Sequence, residues 1–554
     1  MTIARGWPLF SKSACRTFAG TDADCGATAL PGFFTVEYMM TTPNANLYAL
    51  LSSRFPADRS ACCIETQDGL YYSWDDLERA TARIANLLIS LDLPAGSRVA
   101  VQVEKSPEAL FLYLATLRAG LVYLPLNTAY RAAEIEYFVG NAEPAVVVCT
   151  AQNFGWVSKI AFKSGAHSVF TLNDDRSGTL LERAAAHGDA CEIVPRAAAD
   201  LAAILYTSGT TGRSKGAMLT HGNLASNAEV LHDYWGWSRR PPGSDVLLHA
   251  LPIFHVHGLF VASHGALLSG SKMIWLSKFD AREVLRQLPR ATVFMGVPTY
   301  YVRLLAEDGL TRETCRAMRL FISGSAPLLK ETFESFRQRT GHTILERYGM
   351  SETVMLTSNP YDGDAVSARR GGTVGLPLPG VTLRVVDDAG RLCGPDEIGH
   401  LQVKGPNVFA GYWRMPEKTR EEFTDDGFFK TGDVGKADHS GYVSIVGRSK
   451  DLIISGGFNV YPKEIEGVID ELPGVSESAV VGVPHPDFGE AVVAVVVPRD
   501  GASLDAGSVI STLKGRIANF KVPKQVHFVA ELPRNTMGKV QKNVLRERFS
   551  AAPA

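Results

Sequence analysis

Leu77, Ala80, Ile84, Leu87, Leu88 and Leu91 recur at steps of three and four, which places one apolar stripe along a helix. The apolar run from Arg98 to Val103 then reads as a strand. Pro107 opens a second helix through Leu117, with proline at a favoured first-turn position. Leu121 to Leu124 predicts a strand, Ala132 to Val139 a helix, and Ala145 to Cys149 another strand. Strands alternating with helices imply βαβ units and a largely parallel sheet. The pattern continues through Asp245–His249, Thr292–Met295 and Leu320–Ile322, so the fold class is α/β, with a large region over 44–447. Its last part, 373–446, is rich in Gly, Pro and Val with short alternating runs such as Thr382–Val386 and His400–Val403, and predicts a β-rich subdomain. A small α+β domain is expected over 448–554: Glu464–Leu472 and Ser508–Ile517 as helices, Val475–Val483 and Ala491–Val497 as strands. The polar stretch 448–451 between the two reads as a hinge, with a static turn as the plainer alternative.

A chain of 554 residues exceeds one hydrophobic core, in keeping with this division. Hydrophobic residues make up 45% and charged residues 21%, values of an ordinary globular protein. A formal net charge of −2 offers no electrostatic case for nucleic acid or an anionic membrane. No apolar run reaches the length of a membrane span; Leu259 to Leu276 comes nearest and is broken by His264, Gly270 and Lys272. The eight cysteines are scattered, without C-x-x-C or zinc spacing, and read as reduced thiols of a cytoplasmic protein. Residues 1–43 lack the apolar core of a secretory signal and are expected to form a disordered leader.

The chemistry concentrates at Tyr206-Thr207-Ser208-Gly209-Thr210-Thr211-Gly212-Arg213-Ser214-Lys215-Gly216, directly after the apolar strand Leu201–Leu205. Glycines let a backbone approach closely, and successive N–H groups form an anion nest. Hydroxyls donate hydrogen bonds and lysine adds a point charge. This is a loop built for a phosphate chain, and its spacing is not that of the NTPase P-loop.

That loop resembles the phosphate-binding signature of adenylate-forming enzymes: acyl-CoA synthetases, luciferases and peptide-synthetase adenylation domains. Further motifs follow in the family's order: Tyr348-Gly349-Met350-Ser351-Glu352, Thr431-Gly432-Asp433, Gly447-Arg448-Ser449-Lys450-Asp451, and Pro533-Arg534-Asn535-Thr536-Met537-Gly538-Lys539. The resemblance implies an ATP- and Mg²⁺-dependent acid–thiol ligase acting through an acyl-adenylate, with CoA as thiol. It implies that Thr207, Ser208, Gly209, Thr210, Thr211, Gly212 and Lys215 cradle phosphates. Glu352, with Thr207, would hold Mg²⁺, which needs few carboxylates when phosphates supply the rest. Gly324, Ser325, Ala326, Tyr348, Gly349 and Ser351 would frame the nucleotide, and Asp433 with Arg448 the ribose. Lys539, which alone would read as a solvated surface charge, becomes the lysine bridging substrate carboxylate and α-phosphate. Lys450 becomes the hinge residue, and Gly456-Gly457 the opening for a pantetheine arm.

Two segments bear on the acid: Phe254-His255-Val256-His257-Gly258-Leu259-Phe260 and Met295 to Leu304, which contains Arg303. In the family both run beside the acyl pocket, near Ser325. A pocket for a fatty acid would leave His257 and Arg303 unpaired, at a cost; a second carboxylate would satisfy them. With Leu345–Met350 and Val408–Trp413, the chain looks most like malonyl-CoA synthetases, and methylmalonate also fits. The plainer alternatives are a packed neutral His257 and a helix-end salt bridge for Arg303; a synthetase for another short-chain or aryl acid stays open. Nothing in the sequence bears on oligomeric state.

Overall fold

In the computed structural model the described residues are 44–207, 214–362, 369–455, 458–485, 489–535 and 538–550. The leader, the phosphate-loop residues Ser208 to Gly212, Gly456-Gly457 and Thr536-Met537 therefore lie outside the described residues.

The predicted elements form close to their expected limits. The apolar stripe from Leu77 becomes the helix Trp74–Ile89, opened by a reciprocal cap between Ser73 and Asp76. Pro107–Arg118 is a helix buried over all twelve residues. A helix apolar on every side must be enclosed, and this one belongs to the large core cluster that also contains residues of the first two sheets.

The first of these sheets has seven strands in the order Gly411–Tyr412, Lys215–Thr220, Leu201–Thr207, Val122–Pro125, Arg98–Gln102, Val146–Cys149, Ser168–Thr171. The inner strands pair in parallel, as βαβ units require. Leu201–Thr207 and Lys215–Thr220 instead form an antiparallel pair, whose connection is the phosphate-loop sequence. The second sheet has nine strands, with a parallel centre of Leu345–Met350, Leu320–Ser323, Val293–Gly296, Val246–His249, Lys272–Trp275 and Cys62–Thr66.

The alternating runs after 373 form a four-stranded antiparallel sheet: Thr382–Val386, Gly399–Lys404, Phe429–Ala437 and Val443–Arg448. A 3₁₀ turn, Ser449–Asp451, leads into the last sheet, whose long hairpin Val475–His485/Gly489–Pro498 is covered by the helices Pro462–Asp470 and Ala506–Lys514. Pro43 to Ala554 make one compact unit, so this last sheet is docked on the rest. The ion pair Arg499–Glu331, at 2.7 Å, ties it to the helix Lys330–Thr340.

One turn of the second sheet is strained. The antiparallel pair Leu345–Met350/Val354–Ser358 is closed by Ser351-Glu352-Thr353, with a register shift at Tyr348/Gly349. Val354 sits at φ 54°, which is costly for a β-branched residue, and Ser325 nearby in the sequence of the second sheet sits at φ 73°. A Cβ on Gly349 would lie 1.8 Å from the Val354 carbonyl oxygen. Gly349→Ala should therefore open this turn and destabilise the large region by about 2–4 kcal/mol, read as an earlier first transition in urea; an unchanged midpoint would show that the turn has room to spare.

Candidate functional site

The turn strained in this way carries Glu352, which is 5% exposed. Its Oε1 accepts hydrogen bonds from the Thr207 hydroxyl at 3.4 Å and the Tyr412 hydroxyl at 3.0 Å. Thr207 ends the strand before the phosphate loop and Lys215 begins the strand after it. Lys215 pairs with Glu422 at 3.4 Å and lies over the Tyr412 ring at 4.2 Å. One carboxylate among hydroxyl oxygens, beside a phosphate loop, is a donor set that suits Mg²⁺ shared with phosphates. No cluster of three acidic, His or Cys residues able to hold a metal alone occurs among the described residues.

The β-rich sheet supplies the next pair. Asp433 and Arg448 are register partners on adjacent strands, and Arg448 Nε lies 2.7 Å from Asp433 Oδ1. The Tyr348 hydroxyl donates to the other carboxylate oxygen. Burial pushes Asp433 above the ordinary carboxylate range, against the pull of Arg448. Tyr348 is held on the same strand as Gly349, and Gly324, Ser325 and Ala326 directly follow the neighbouring strand Leu320–Ser323.

Lys539 arrives from the far end of the chain. The Gly538 Cβ position faces Thr299 Oγ1 at 3.6 Å, at the start of the helix Pro298–Leu305. The Lys539 amine feels Arg448, Asp433, Glu352 and Arg347, so it points toward these groups rather than into bulk water. Burial and then Arg448 lower its pKa. Lys450 lies in the 3₁₀ turn and is exposed, while its neighbour Ser449 is bonded to His400 at 3.2 Å.

The acid side differs from expectation in one respect. His257 is 1% exposed, at the start of a π-helical segment, His257–Ser263, of the kind that gathers at functional sites. Its Nδ1 is 3.4 Å from Ser325 Oγ, and burial followed by Arg347 holds it neutral. Arg303 lies on the exposed face of its helix and makes no ion pair among the described residues. The cation that acts on His257 is Arg347.

Arg347 is 2% exposed, and its Nε and Nη2 have no hydrogen-bond partner; neither has His257 Nε2. A Cβ on Gly324 would fall 2.5 Å from this guanidinium, so the glycine makes its berth. Burial brings Arg347 down to about 9, still a cation at neutral pH. Next to it, burial lifts Glu346 to about 8, although Leu328 N–H donates to it at 3.1 Å. Arg347, Glu346 and Tyr412 lie in the segments Leu345–Met350 and Val408–Trp413 that carried the resemblance, but the sequence assigned none of them a role.

Glu352 with Thr207 and Tyr412, the Asp433–Arg448 pair, and Lys539 in the field of both acids lie together, as the resemblance to adenylate-forming enzymes implies. The AMP-binding enzyme profile matches residues 52–413, and that of the AMP-binding enzyme C-terminal domain matches 464–539. The chain belongs to the AMP-binding enzyme family. It is 33% identical to a malonate–CoA ligase of Arabidopsis thaliana over 93% of this chain and 91% of the relative. It is 34% identical to a feruloyl-CoA synthase of an Amycolatopsis species over 87% of this chain and 94% of the relative. Among solved structures, ATP-bound MatB from Rhodopseudomonas palustris is 57% identical, covers 92% of this chain and 99% of its own, and superposes with a TM-score of 0.88. The apo form of that protein, with the same coverage, gives 0.79, so the chain's arrangement is more like the nucleotide-bound form. No helix among the described residues is long and apolar enough to cross a membrane.

The Glu346 shift has a sign that can be checked. Its ordinary value is 4.5 and its folded value about 8. Between these the folded chain holds a proton that the unfolded chain has lost, so rising pH costs stability. Glu346→Gln removes that dependence. The Tm of the variant minus that of the parent should rise steadily from pH 4.5 to 8 and level off above; a difference flat with pH would contradict the shift.

Proposed function

We propose that this chain is an ATP-dependent malonate–CoA ligase, forming malonyl-CoA, AMP and pyrophosphate. The observation that carries the acid is the buried Arg347 guanidinium with two unpartnered nitrogens, beside the unpartnered His257 Nε2. Leaving a buried charge unpaired is expensive. A monocarboxylic acid places its single carboxylate at the reacting end and leaves these groups as they are. A malonate presents a second carboxylate, which Arg347 can grip in bidentate fashion while neutral His257 adds a hydrogen bond. Identity to the MatB structures and to the Arabidopsis malonate–CoA ligase supports this reading. Methylmalonate is a second candidate, and other short-chain or aryl acids are the alternative; the comparable identity to a feruloyl-CoA synthase keeps that alternative in the test.

In the first half-reaction one oxygen of the malonate carboxylate attacks the α-phosphorus and pyrophosphate leaves. Charge spreads over the phosphoryl oxygens, so positioned cations do most of the work. Lys539 lies within the influence of both Glu352 and Asp433 and would bridge the attacking carboxylate and the α-phosphate. Mg²⁺, held by Glu352 with the Thr207 hydroxyl alongside, would neutralise phosphate oxygens. Lys215 and the loop residues Ser208, Gly209, Thr210, Thr211 and Gly212 would hold the β- and γ-phosphates. Asp433 and Arg448 would take the ribose hydroxyls, and Gly324, Ser325, Ala326, Tyr348, Gly349 and Ser351 the base and sugar.

In the second half-reaction the CoA sulfur forms a bond to the acyl carbon and AMP leaves. Lys539 occupies the cleft in the first step, so it must withdraw. Rotation at Lys450 would remove it and bring Gly456-Gly457 to the entrance for the pantetheine arm. Domain limits of 44–447 and 448–554 follow from this division of labour. The six described cysteines are free, which supports a reducing, cytosolic setting.

ATP–pyrophosphate exchange with malonate, methylmalonate, propionate, acetate and an aryl acid tests the reading. Malonate should drive exchange best; strong exchange with propionate and none with malonate would reject it. Arg347→Met should raise the KM for malonate roughly 10- to 100-fold, the scale of a charged hydrogen bond, with the KM for ATP little changed. Arg303→Ala should raise the malonate KM more than the ATP KM if this exposed cation attracts the diacid at the pocket mouth. Equal effects on both substrates would remove either residue from acid recognition.

A further inference from the structure

One side chain joins the two halves of the phosphate apparatus. Tyr412 is 3% exposed and belongs to a two-residue strand, Gly411–Tyr412, laid antiparallel on Lys215–Thr220. Gly411 pairs with Met218 and Tyr412 with Ala217. Ala410 N–H donates to the Met218 carbonyl at 2.9 Å and Trp413 N–H to that of Gly216 at 2.8 Å. Tyr412 N–H is taken by Thr419 Oγ1 at 2.9 Å. The ring is thus fixed to the strand that leaves the phosphate loop.

From that mount the ring acts in two directions. Its hydroxyl donates to Glu352 Oε1 at 3.0 Å, and its face receives Lys215 Nζ at 4.2 Å. Glu352 is held from the backbone too, since its carbonyl accepts from Phe409 N–H at 2.8 Å, three residues before the tyrosine. Thr207 Oγ1, at 3.4 Å, is a longer contact to the same carboxylate oxygen. Glu422 holds Lys215 from the other side at 3.4 Å and is shared with Lys418 at 3.1 Å.

We propose that Tyr412 is a positioning residue for the nucleotide half-site, its hydroxyl orienting the Glu352 carboxylate toward Mg²⁺ and its ring face setting Lys215 toward the triphosphate. The inference rests on the nucleotide assignment and is independent of which acid is used. A partner that orients a ligating carboxylate is worth about 10- to 100-fold in metal affinity. The hydroxyl contribution depends on Mg²⁺ and the ring-face contribution does not.

Calorimetric titration of ATP into the whole protein separates them, once with Mg²⁺ and once with EDTA, without acid or CoA. Tyr412→Phe keeps the ring and loses the hydroxyl. It should weaken binding of ATP with Mg²⁺ by roughly tenfold and leave binding in EDTA within about twofold. Tyr412→Leu loses both and should weaken binding in EDTA as well. In a Glu352→Gln background, Tyr412→Phe should add nothing further to the Mg²⁺ result. Equal losses with and without Mg²⁺ for Tyr412→Phe, no loss in either, or additive losses in the Glu352→Gln background would each overturn the proposal. If ATP with Mg²⁺ failed to bind the parent protein at all, the nucleotide assignment itself would fall instead.

Discussion

The structure turns on bringing Lys539 into a cleft shaped by residues roughly one to two hundred positions earlier in the chain. Lys539 stands in the field of Glu352 and Asp433, opposed by Arg448 and Arg347. An isolated ammonium gains little by leaving bulk water. Here the cleft returns part of that cost through the carboxylates of Asp433 and Glu352. The Arg499–Glu331 pair joins the small domain to the helix Lys330–Thr340. Both partners of that ion pair are about half exposed, so it contributes little by itself.

A second constraint runs beneath the first. Glu346 and Arg347 are consecutive charged residues on a strand inside the second sheet, and neither finds a full set of partners. Burial drives Glu346 toward its neutral form and weakens the hold of Arg347 on its proton. A core selected for stability alone would replace such a pair with apolar residues. Its presence beside the π-helical turn of His257 and the strained Ser325 is what the proposed recognition of a second carboxylate would account for.

Much of this was legible in the sequence for definite reasons. Apolar periodicity outlined most strands of the parallel sheets within a residue or two, because those strands are buried on both faces. The phosphate loop stood out because glycines, hydroxyls and a lysine cluster there; Glu352, Asp433, Arg448 and Lys539 were legible only through the resemblance of their motifs to a known family. Arg303 and Arg347 show where that reasoning ends. Both are arginines near a pocket segment, and only three-dimensional packing separates one on the outer face of a helix from one lodged against Gly324. The role of Tyr412 was hidden likewise, since its partners Glu352 and Lys215 lie sixty and nearly two hundred residues away. The antiparallel edges of both large sheets also escaped periodicity, since their strands are short and their pairing is set by turns.

In the proposed function, adenylation needs Lys539 and thioester formation does not. Lys539→Ala should be examined in both: ATP–pyrophosphate exchange with malonate, and conversion of supplied malonyl-adenylate to thioester by CoA. Exchange should fall by at least two orders of magnitude while thioester formation from the adenylate continues near the parent rate. Exchange left intact, or both half-reactions reduced alike, would contradict it.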